Sequence, residues 1–262
     1  MGDGLFGDLP AIEVPLTRAP LTRVLAQVRF PSVSELALSD GQHRFSRLLK
    51  ATYPVARQQS GINLVITPQG VMQQPGRDMI WQLQDKRREW QVSFSDGFVS
   101  LETSKYVSRD DFCARLHSVL NALVDVAEPV LCDRIGIRYI NQISGESLLR
   151  VNEFFRPEML GGWAVSQRSE SANLVQSLSE SLFELGVDRM LIRSGWIPAR
   201  GTVEPSVPAL PSDSWVLDLD SFTDNSEDFS PADVSARVRE LADGAYRAFR
   251  NLVTDDFLEH YA

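Results

Sequence analysis

Two arginines flank a glycine in the segment "DRIGIRYINQI", residues 133–143. Polar and apolar residues alternate along it, which predicts a strand with one buried face. Arg134 and Arg138 share the polar face, and Gly136 leaves room between them. Two guanidinium groups placed in this way are suited to binding a phosphate or a carboxylate. The odd positions carry the apolar side chains expected in the core: Ile135, Ile137, Tyr139 and Ile143.

An alternative to a ligand is an internal partner, because the chain has an excess of acidic residues. Glu102 and the aspartates of "LDLD", Asp218 and Asp220, lie in other predicted strands. Asp218 and Asp220 share one strand face and would satisfy both arginines at once. Internal pairing is the favoured interpretation, since charged groups on a sheet seldom stay unpaired when they are buried.

The acidic segment from residue 201 to residue 236 contains eight Asp or Glu residues and neither Lys nor Arg. Clustered carboxylates suit a hard divalent cation. The spacing, however, does not match the alternating ligands, central glycine and terminal glutamate of an EF-hand loop. We therefore predict a solvated acidic face and no cofactor, with a divalent cation as the open alternative.

Common catalytic motifs are missing from the sequence. The three histidines, His43, His117 and His260, form no metal-binding spacing. The chain has no Gly-x-Ser-x-Gly elbow and no phosphate-binding glycine loop. A Ser/His/Asp triad stays open, because its members need not be close in sequence. The balance favours a protein that is not an enzyme.

Composition narrows the partners and the compartment. The 262 residues carry a net charge of −9, with a pI of about 4.9, which disfavours duplex nucleic acid and anionic membranes. Two cysteines without metal or disulfide spacing fit a reducing cytoplasm. The first ten residues lack a basic secretory signal and the Ser or Thr of a myristoylation signal, and no apolar run is long enough to span a membrane.

The chain reads as strands followed by capped amphipathic helices. "PLTRVLAQVRF" alternates like a strand, and residues 78–103 read as a three-stranded meander whose second turn, Asp96-Gly97, favours positive φ. Helices with apolar stripes are predicted after Ser108 and Ser230, and "SWVLDLDSF" is predicted as a strand. Residues 200–213 read as a loop. Residues 174–185 fit a strand or a short helix, and strand is preferred.

An internal similarity suggests two repeated halves. "SRDDFCARL" from Ser108 matches "SPADVSARV" from Ser230 at Ser, Asp, Ala and Arg, although any two helix starts could converge on Ser-x-x-Asp. We therefore predict an α+β fold with an antiparallel sheet, or two such sheets, packed against long amphipathic helices. The expected organisation is an irregular leader at 1–18, a first half at 19–148 and a second half at 149–262, which together could form one continuous domain.

These motifs resemble a sporadically distributed family of uncharacterised bacterial proteins of about 260 residues. The resemblance rests on "PLTRVLAQVRF", the meander, the capped helix, "RIGIRYIN" and "WVLDLDSF", and it is most specific from Arg134 to Asn141. Sporadic distribution implies an accessory role, for example in phage defence or a toxin–antitoxin module. The candidate ligand-binding or partner-binding residues are Arg134, Arg138, Asn141, Asp218 and Asp220.

Two functions are therefore expected. The first is a cytoplasmic binding or regulatory protein that is not an enzyme and that engages a protein partner, with a homodimer as an open alternative. The second is an enzyme or sensor for an anionic, nucleotide-like small molecule held by the two arginines.

Overall fold

The computed structural model describes residues 14–67, 70–168, 171, 173–202 and 209–262, and within residues 60–78 it describes the backbone alone. The predicted leader at 1–18 lies outside the described residues except for 14–18, which form neither helix nor strand. The described residues form seven α-helices and a large antiparallel sheet of nine strands. The predicted α+β class, with an antiparallel sheet and long helices, is confirmed.

The strands of the large sheet follow the chain with helices between them. They are β1 Leu21–Arg29, β2 Val55–Thr67, β3 Gly70–Gln84, β4 Trp90–Phe94, β5 Phe98–Thr103, β7 Arg134–Ser144, β8 Ser177–Leu185, β9 Asp188–Ile197 and β10 Ser214–Thr223. Two short strands, β6 Leu131–Cys132 and β11 Glu227–Asp228, pair separately. The helices are α1 Ser34–Ala37, α2 Ser39–Leu49, α3 Arg109–Ala127, α4 Val151–Phe154, α5 Pro157–Ser166, α6 Pro231–Leu252 and α7 Asp255–Tyr261.

The chain divides into two compact units. The first unit consists of Leu25–Ile135 and Asp224–Arg237. The second consists of the described residues of Met1–Val24, together with Gly136–Thr223 and Val238–Ala262. The predicted division into halves at residue 148, and the duplication behind it, stay predictions.

The first unit is built on the antiparallel run β2-β3-β4-β5. Helix α3 begins where the Ser108 hydroxyl accepts a hydrogen bond from the Asp111 backbone N–H at 3.2 Å, as the capping pattern predicts. The helix ends at Glu128, whose φ of 42° is left-handed. The predicted apolar stripe of α3 is fully buried: Phe112, Leu116, Val119, Leu120, Leu123 and Val126.

The second unit is built on the antiparallel run β7-β10-β9-β8. Alternate residues of β10, namely Trp215, Leu217 and Leu219, lie in one apolar core with residues of α4, α6 and α7. The other members of this alternation, among them Asp218, project from the opposite face. Helix α6 begins with the same kind of cap as α3, since the Ser230 hydroxyl accepts from the Asp233 backbone N–H at 3.4 Å.

Residues 174–185 are resolved in favour of the strand. β8 pairs with β9 in register from Ser177↔Trp196 to Leu185↔Asp188, so the preferred prediction is confirmed. Gly186, which the helical alternative used as a C-cap, instead forms the hairpin turn with a φ of +71°. Such a positive φ is what a two-residue hairpin favours and what glycine adopts without strain.

The details of two predicted strands differ from expectation. The Asp96-Gly97 turn joins β4 to β5 as predicted, but the connection has three residues and neither Asp96 nor Gly97 has a positive φ. In β7, Ile135, Ile137 and Ile143 are buried as predicted, whereas Tyr139 is only half-buried. Gln142, on the expected polar face, is buried and donates to the Ser214 hydroxyl at 3.1 Å. Both faces of this strand are therefore largely covered, as in the interior of a sheet.

Candidate functional site

A row of alternating charges crosses the second unit on the sheet face opposite its apolar core. The strand register sets Asp218 of β10 opposite Arg193 of β9, and Arg193 opposite Glu180 of β8. Arg138 of β7 extends the row at the other end, because its Nε donates to Asp218 Oδ1 at 2.7 Å and its second nitrogen donates to Oδ2. We call these four residues the charged row.

Burial changes steeply along the charged row. The Asp218 side chain is 1% exposed, those of Arg138 and Arg193 are 12% and 19% exposed, and that of Glu180 is 55% exposed. A buried carboxylate is tolerated only when cations and hydrogen bonds compensate its lost hydration. Asp218 has both, since Arg193 Nη1 also approaches its Oδ2 at 3.4 Å. The row therefore leads from a buried ion pair to an exposed carboxylate on β8.

The charge balance of the row bears on its chemistry. Two guanidinium groups and two carboxylates sum to zero, and the Asp218 carboxylate takes the two-pronged contact with Arg138 that an anionic ligand would need. The internal pairing of Arg138 with Asp218, which the sequence favoured, is the arrangement observed. Asp220 is half-buried on the same strand.

Arg134 has a different carboxylate partner from the ones expected. In the first unit, Arg134 Nε lies 3.6 Å from Asp224 Oδ1, and both side chains are partly exposed. Asp218 pairs with Arg138 as expected, and the expectation that Asp218 and Asp220 serve both arginines stays a prediction for Arg134. Asn141, the remaining candidate, is buried at 6% exposure. The described contacts thus join Arg138 with Asp218 and Arg134 with Asp224.

A cavity of about 620 Å³ lies on the other face of the β8–β9 hairpin. Its lining comes from α5, β8, β9 and the end of α6: Arg156, Glu158, Met159, Ser179, Ser181, Phe183, Ile192, Ser194, Asn251 and Leu252. The sequence reasoning missed this site. The signal was the alternation of Ser179, Ser181 and Phe183 in β8, which places small hydroxyl side chains and one aromatic ring on a single face.

Two glycines lie against the start of β8. A Cβ at Gly162 of α5 would lie 2.7 Å from the Ser177 hydroxyl oxygen, so α5 approaches the start of β8 more closely than a larger residue allows. A Cβ at Gly195 of β9 would lie 1.9 Å from the Ser177 carbonyl oxygen. The edge strand β8 therefore rests on two positions that lack side chains.

A serine–histidine pair in the second unit has its hydrogen bonds directed the opposite way from those of a catalytic triad. The Ser147 hydroxyl lies 3.0 Å from His260 Nε2, and an Arg150 nitrogen lies 3.2 Å from His260 Nδ1. Arginine can only donate, so Nδ1 accepts and Nε2 carries the hydrogen that points at Ser147. A triad requires a carboxylate where Arg150 stands, so that the histidine can accept the serine proton. This pair therefore holds the C-terminal helix and does not activate a nucleophile.

Two further groups that could react are held in their protonated forms. Burial, and next the nearby Glu227 carboxylate, raise the pKa of the Cys132 thiol. A thiolate is the reactive form, so this cysteine is a poor nucleophile at neutral pH. Burial likewise raises the pKa of Tyr261, although a hydrogen bond with Ser147 opposes the shift. Neither group has the lowered pKa of an activated nucleophile.

The described residues contain neither a metal-binding cluster nor a helix suited to crossing a membrane. Within 14–67, 70–168, 171, 173–202 and 209–262, no three His, Cys, Asp or Glu residues group closely enough to hold a metal ion. Over the same ranges, no helix combines the length and the apolar character needed to cross a membrane. The divalent cation therefore stays a prediction without a located site.

Comparison with known proteins adds no relative. No protein-family model matches the chain, and no curated protein matches it. The family resemblance inferred from the sequence motifs thus stays a prediction, and functional inference rests on the geometry of the second unit.

Proposed function

We propose that this protein is a binding protein that captures an extended segment of a partner protein along the edge strand β8. One observation carries the proposal. β8 is the terminal strand of the sheet and, among the described residues, it pairs with β9 alone. Half of its backbone N–H and C=O groups thus point away from the sheet, and such an edge is a template for another strand.

The side chains of β8 offer little protection against strand addition. Its sequence, SLSESLFEL, contains no proline and no lysine, the residues with which natural sheets usually guard an edge. Leu178 and Leu182 are exposed on the face that carries Glu180, at 37% and 57%. An exposed nine-residue edge with two solvated leucines is a liability for a protein that never binds a partner there, and an advantage for one that does.

Charge complementarity identifies the chemistry of the partner segment. Glu180 and Glu184 project from β8, are exposed at 55% and 78%, and contact Arg193 and Arg189 of β9 at 2.5 and 3.6 Å, so a partner's cation would share each carboxylate with an arginine. The chain as a whole has a net charge of −9. A segment that alternates lysine or arginine with apolar residues would set its cations on the face of these glutamates and its apolar residues on the opposite face, where Ser179, Ser181 and Phe183 line the cavity.

A second copy of this chain fits the same edge less well. In an antiparallel pairing of two β8 strands about Ser181, Glu180 would face Leu182 of the second copy. The two copies of Glu180 would then lie diagonally, about 7–8 Å apart. Self-pairing sets four carboxylates in one diagonal row, whereas a basic segment adds cations beside them, so a foreign partner is the occupant that the charges favour.

The expected non-enzymatic role, cytoplasmic location and defence role each rest on a different observation. The pairing of Arg138 with Asp218 and the inverted polarity at His260 support a binding role over an enzymatic one. The cytoplasmic location rests on composition. A place in a phage-defence or toxin–antitoxin module rests on the family resemblance alone.

Hydrogen exchange with a designed probe tests the proposal. The probe is a nine-residue capped peptide that alternates Lys with Val, and its matched control replaces each Lys with Glu. We expect the Lys probe to slow exchange of the β8 amides that point away from β9, while the amides already bonded to β9 change little. The double variant Glu180→Gln/Glu184→Gln should weaken binding of the Lys probe by about 5-fold, since exposed ion pairs contribute modestly.

Neighbouring proline variants provide the structural control. Consecutive residues of a strand direct their N–H groups to opposite sides, so only one of Ser181→Pro and Leu182→Pro removes a bond to β9. The variant that keeps the wild-type melting temperature should lose binding of the probe. Equal probe binding by that variant and the wild type, or equal protection of β8 by the Glu control peptide, would refute capture of a basic segment at this edge.

A further inference from the structure

The two faces of β8 divide the side chains of any added strand into two sets. Ser179, Ser181 and Phe183 line the cavity, and Glu180 and Leu182 lie on the other face. A strand paired with β8 alternates with the same period of two residues, so every second side chain of the partner projects toward the cavity. The cavity can therefore contact only every second residue of the partner segment.

The cavity is apolar at its base and polar at its rim. Ile192 and Leu252 are buried, and Phe183 is half-buried among the core residues. Ser179 and Ser181 are exposed hydroxyl residues at the opening, and Arg156, which precedes α5, and Glu158 of α5 add one charge of each sign. A side chain with an apolar body and a polar tip matches this gradient, and tyrosine and tryptophan have that character.

The volume of the cavity agrees with a large anchor. About 620 Å³ falls within the range of pockets that bind drug-sized molecules. Aromatic residues bury the most surface at protein interfaces and are enriched among the residues that dominate binding energy. Two residues spaced i and i+2 in the partner strand would both reach this space, whereas a single aliphatic side chain would leave most of it unfilled.

The cavity is bounded at one end by the contact between α5 and β8. The chain at Gly161 departs from helical geometry, with a φ of +48°, and the close approach at Gly162 brings α5 to the start of β8. The Ser194 hydroxyl fixes the other wall, since it donates to the Met159 carbonyl at 3.0 Å. The pocket is therefore held by backbone contacts of α5 and is formed before any partner arrives.

We propose that this cavity is a specificity pocket that accepts one or two aromatic side chains, tyrosine or tryptophan, from the strand captured at β8. The inference rests on the proposed function and names the residue class that the partner must carry on its cavity-facing side. The partner segment then has lysine or arginine at alternate positions and at least one aromatic residue between them.

A matched peptide pair measures the contribution of the pocket. The Lys-Val probe is compared with the same peptide in which the central Val is replaced by Trp, and each carries a fluorescent label for anisotropy. We expect the Trp probe to bind the wild-type protein at least about 10-fold more tightly, as for a buried aromatic anchor. The variant Ser181→Trp fills the opening, so it should reduce this advantage to less than about 2-fold.

The control variant changes the other face of the same strand. Leu182→Trp adds an equal volume beside Glu180, away from the cavity, and should preserve the preference for the Trp probe. Equal affinity of the two probes for the wild type, with protection of the β8 amides by both, would overturn the pocket and leave capture at the edge intact.

Failure of strand capture with a functional pocket would give a different result. A Trp probe that binds, that is displaced in Ser181→Trp, and that protects no β8 amide would support the pocket and overturn strand capture. No binding of either probe would overturn both proposals.

Discussion

Two arginines of the same strand have opposite environments. Arg138 contacts Asp218 with both ends of its guanidinium fork, and the side chains are 12% and 1% exposed. Arg134 approaches Asp224 at 3.6 Å, where the side chains are 22% and 44% exposed. Residue types and charges are the same in both pairs. The difference lies in the distance between the paired groups and in access to water.

This difference determines what each pair contributes. In a water-excluded place, the Asp218 carboxylate depends on Arg138 and Arg193, because no solvent replaces them. Around Asp224, water and dissolved ions screen the charge and substitute for the arginine. The first pair specifies how β7, β10 and β9 are joined on this face, and the second is a surface contact that the fold can lose.

The largest expected effect is the loss of Asp218. Asp218→Ala leaves two partly buried guanidinium groups facing each other without their shared carboxylate, and should lower the free energy of unfolding by about 3–5 kcal/mol. Denaturant unfolding followed by circular dichroism measures the change. A loss below about 1 kcal/mol would show that the buried Arg138–Asp218 pair contributes no more to stability than the exposed Arg134–Asp224 pair.

A double replacement separates the need for charge from the need for volume. In Arg138→Met/Asp218→Leu both buried charges are removed and the space is refilled, so the protein should be about 3–5 kcal/mol more stable than Asp218→Ala. Arg193 keeps its contact with Glu180, near the solvent, in this variant. Stability equal to or lower than that of Asp218→Ala would show that the ion pair itself is required.

The smallest expected effect is at the exposed pair. Asp224→Ala should change the free energy of unfolding by about 0–1 kcal/mol, and the change should shrink further as sodium chloride is raised through the range where screening becomes strong. Thermal unfolding of wild type and variant at low and high salt provides the comparison. A loss as large as that of Asp218→Ala, insensitive to salt, would contradict the distinction between the two arginines.

Local signals predicted most of the fold. The Ser108 cap and the stripe that begins at Phe112 are complete within one helix, so the sequence alone predicts α3. The β8–β9 hairpin was harder to predict, because leucines at 174, 178, 182 and 185 fit the period of a helix as well as that of a strand. The pairing of β8 with β9 shows that the segment is a strand. Strand β2 was not predicted, since its main stabilisation is the long hairpin with β3, which no local pattern reports.

The candidate site was predicted only in part. The Arg138–Asp218 pair was weighed correctly because a charge excess and a strand alternation are readable from the sequence. The contact of Arg134 with Asp224 was not predicted, since it depends on where the chain turns after β10. The cavity required knowledge of which helix covers which strand, and the approach of α5 to β8 through Gly162 is a tertiary contact.

The close approach at Gly195 has a consequence for how this sequence can change. A Cβ at position 195 would lie 1.9 Å from the Ser177 carbonyl oxygen and 2.8 Å from the Leu178 Cα. Even alanine at this position would therefore displace the edge strand β8. Leu178 and Leu182, in contrast, project into solvent and can be exchanged freely without moving the backbone. Substitutions at the exposed positions of β8 can therefore change its partner preference during evolution. A single methyl group added at position 195, in contrast, would displace β8 from β9.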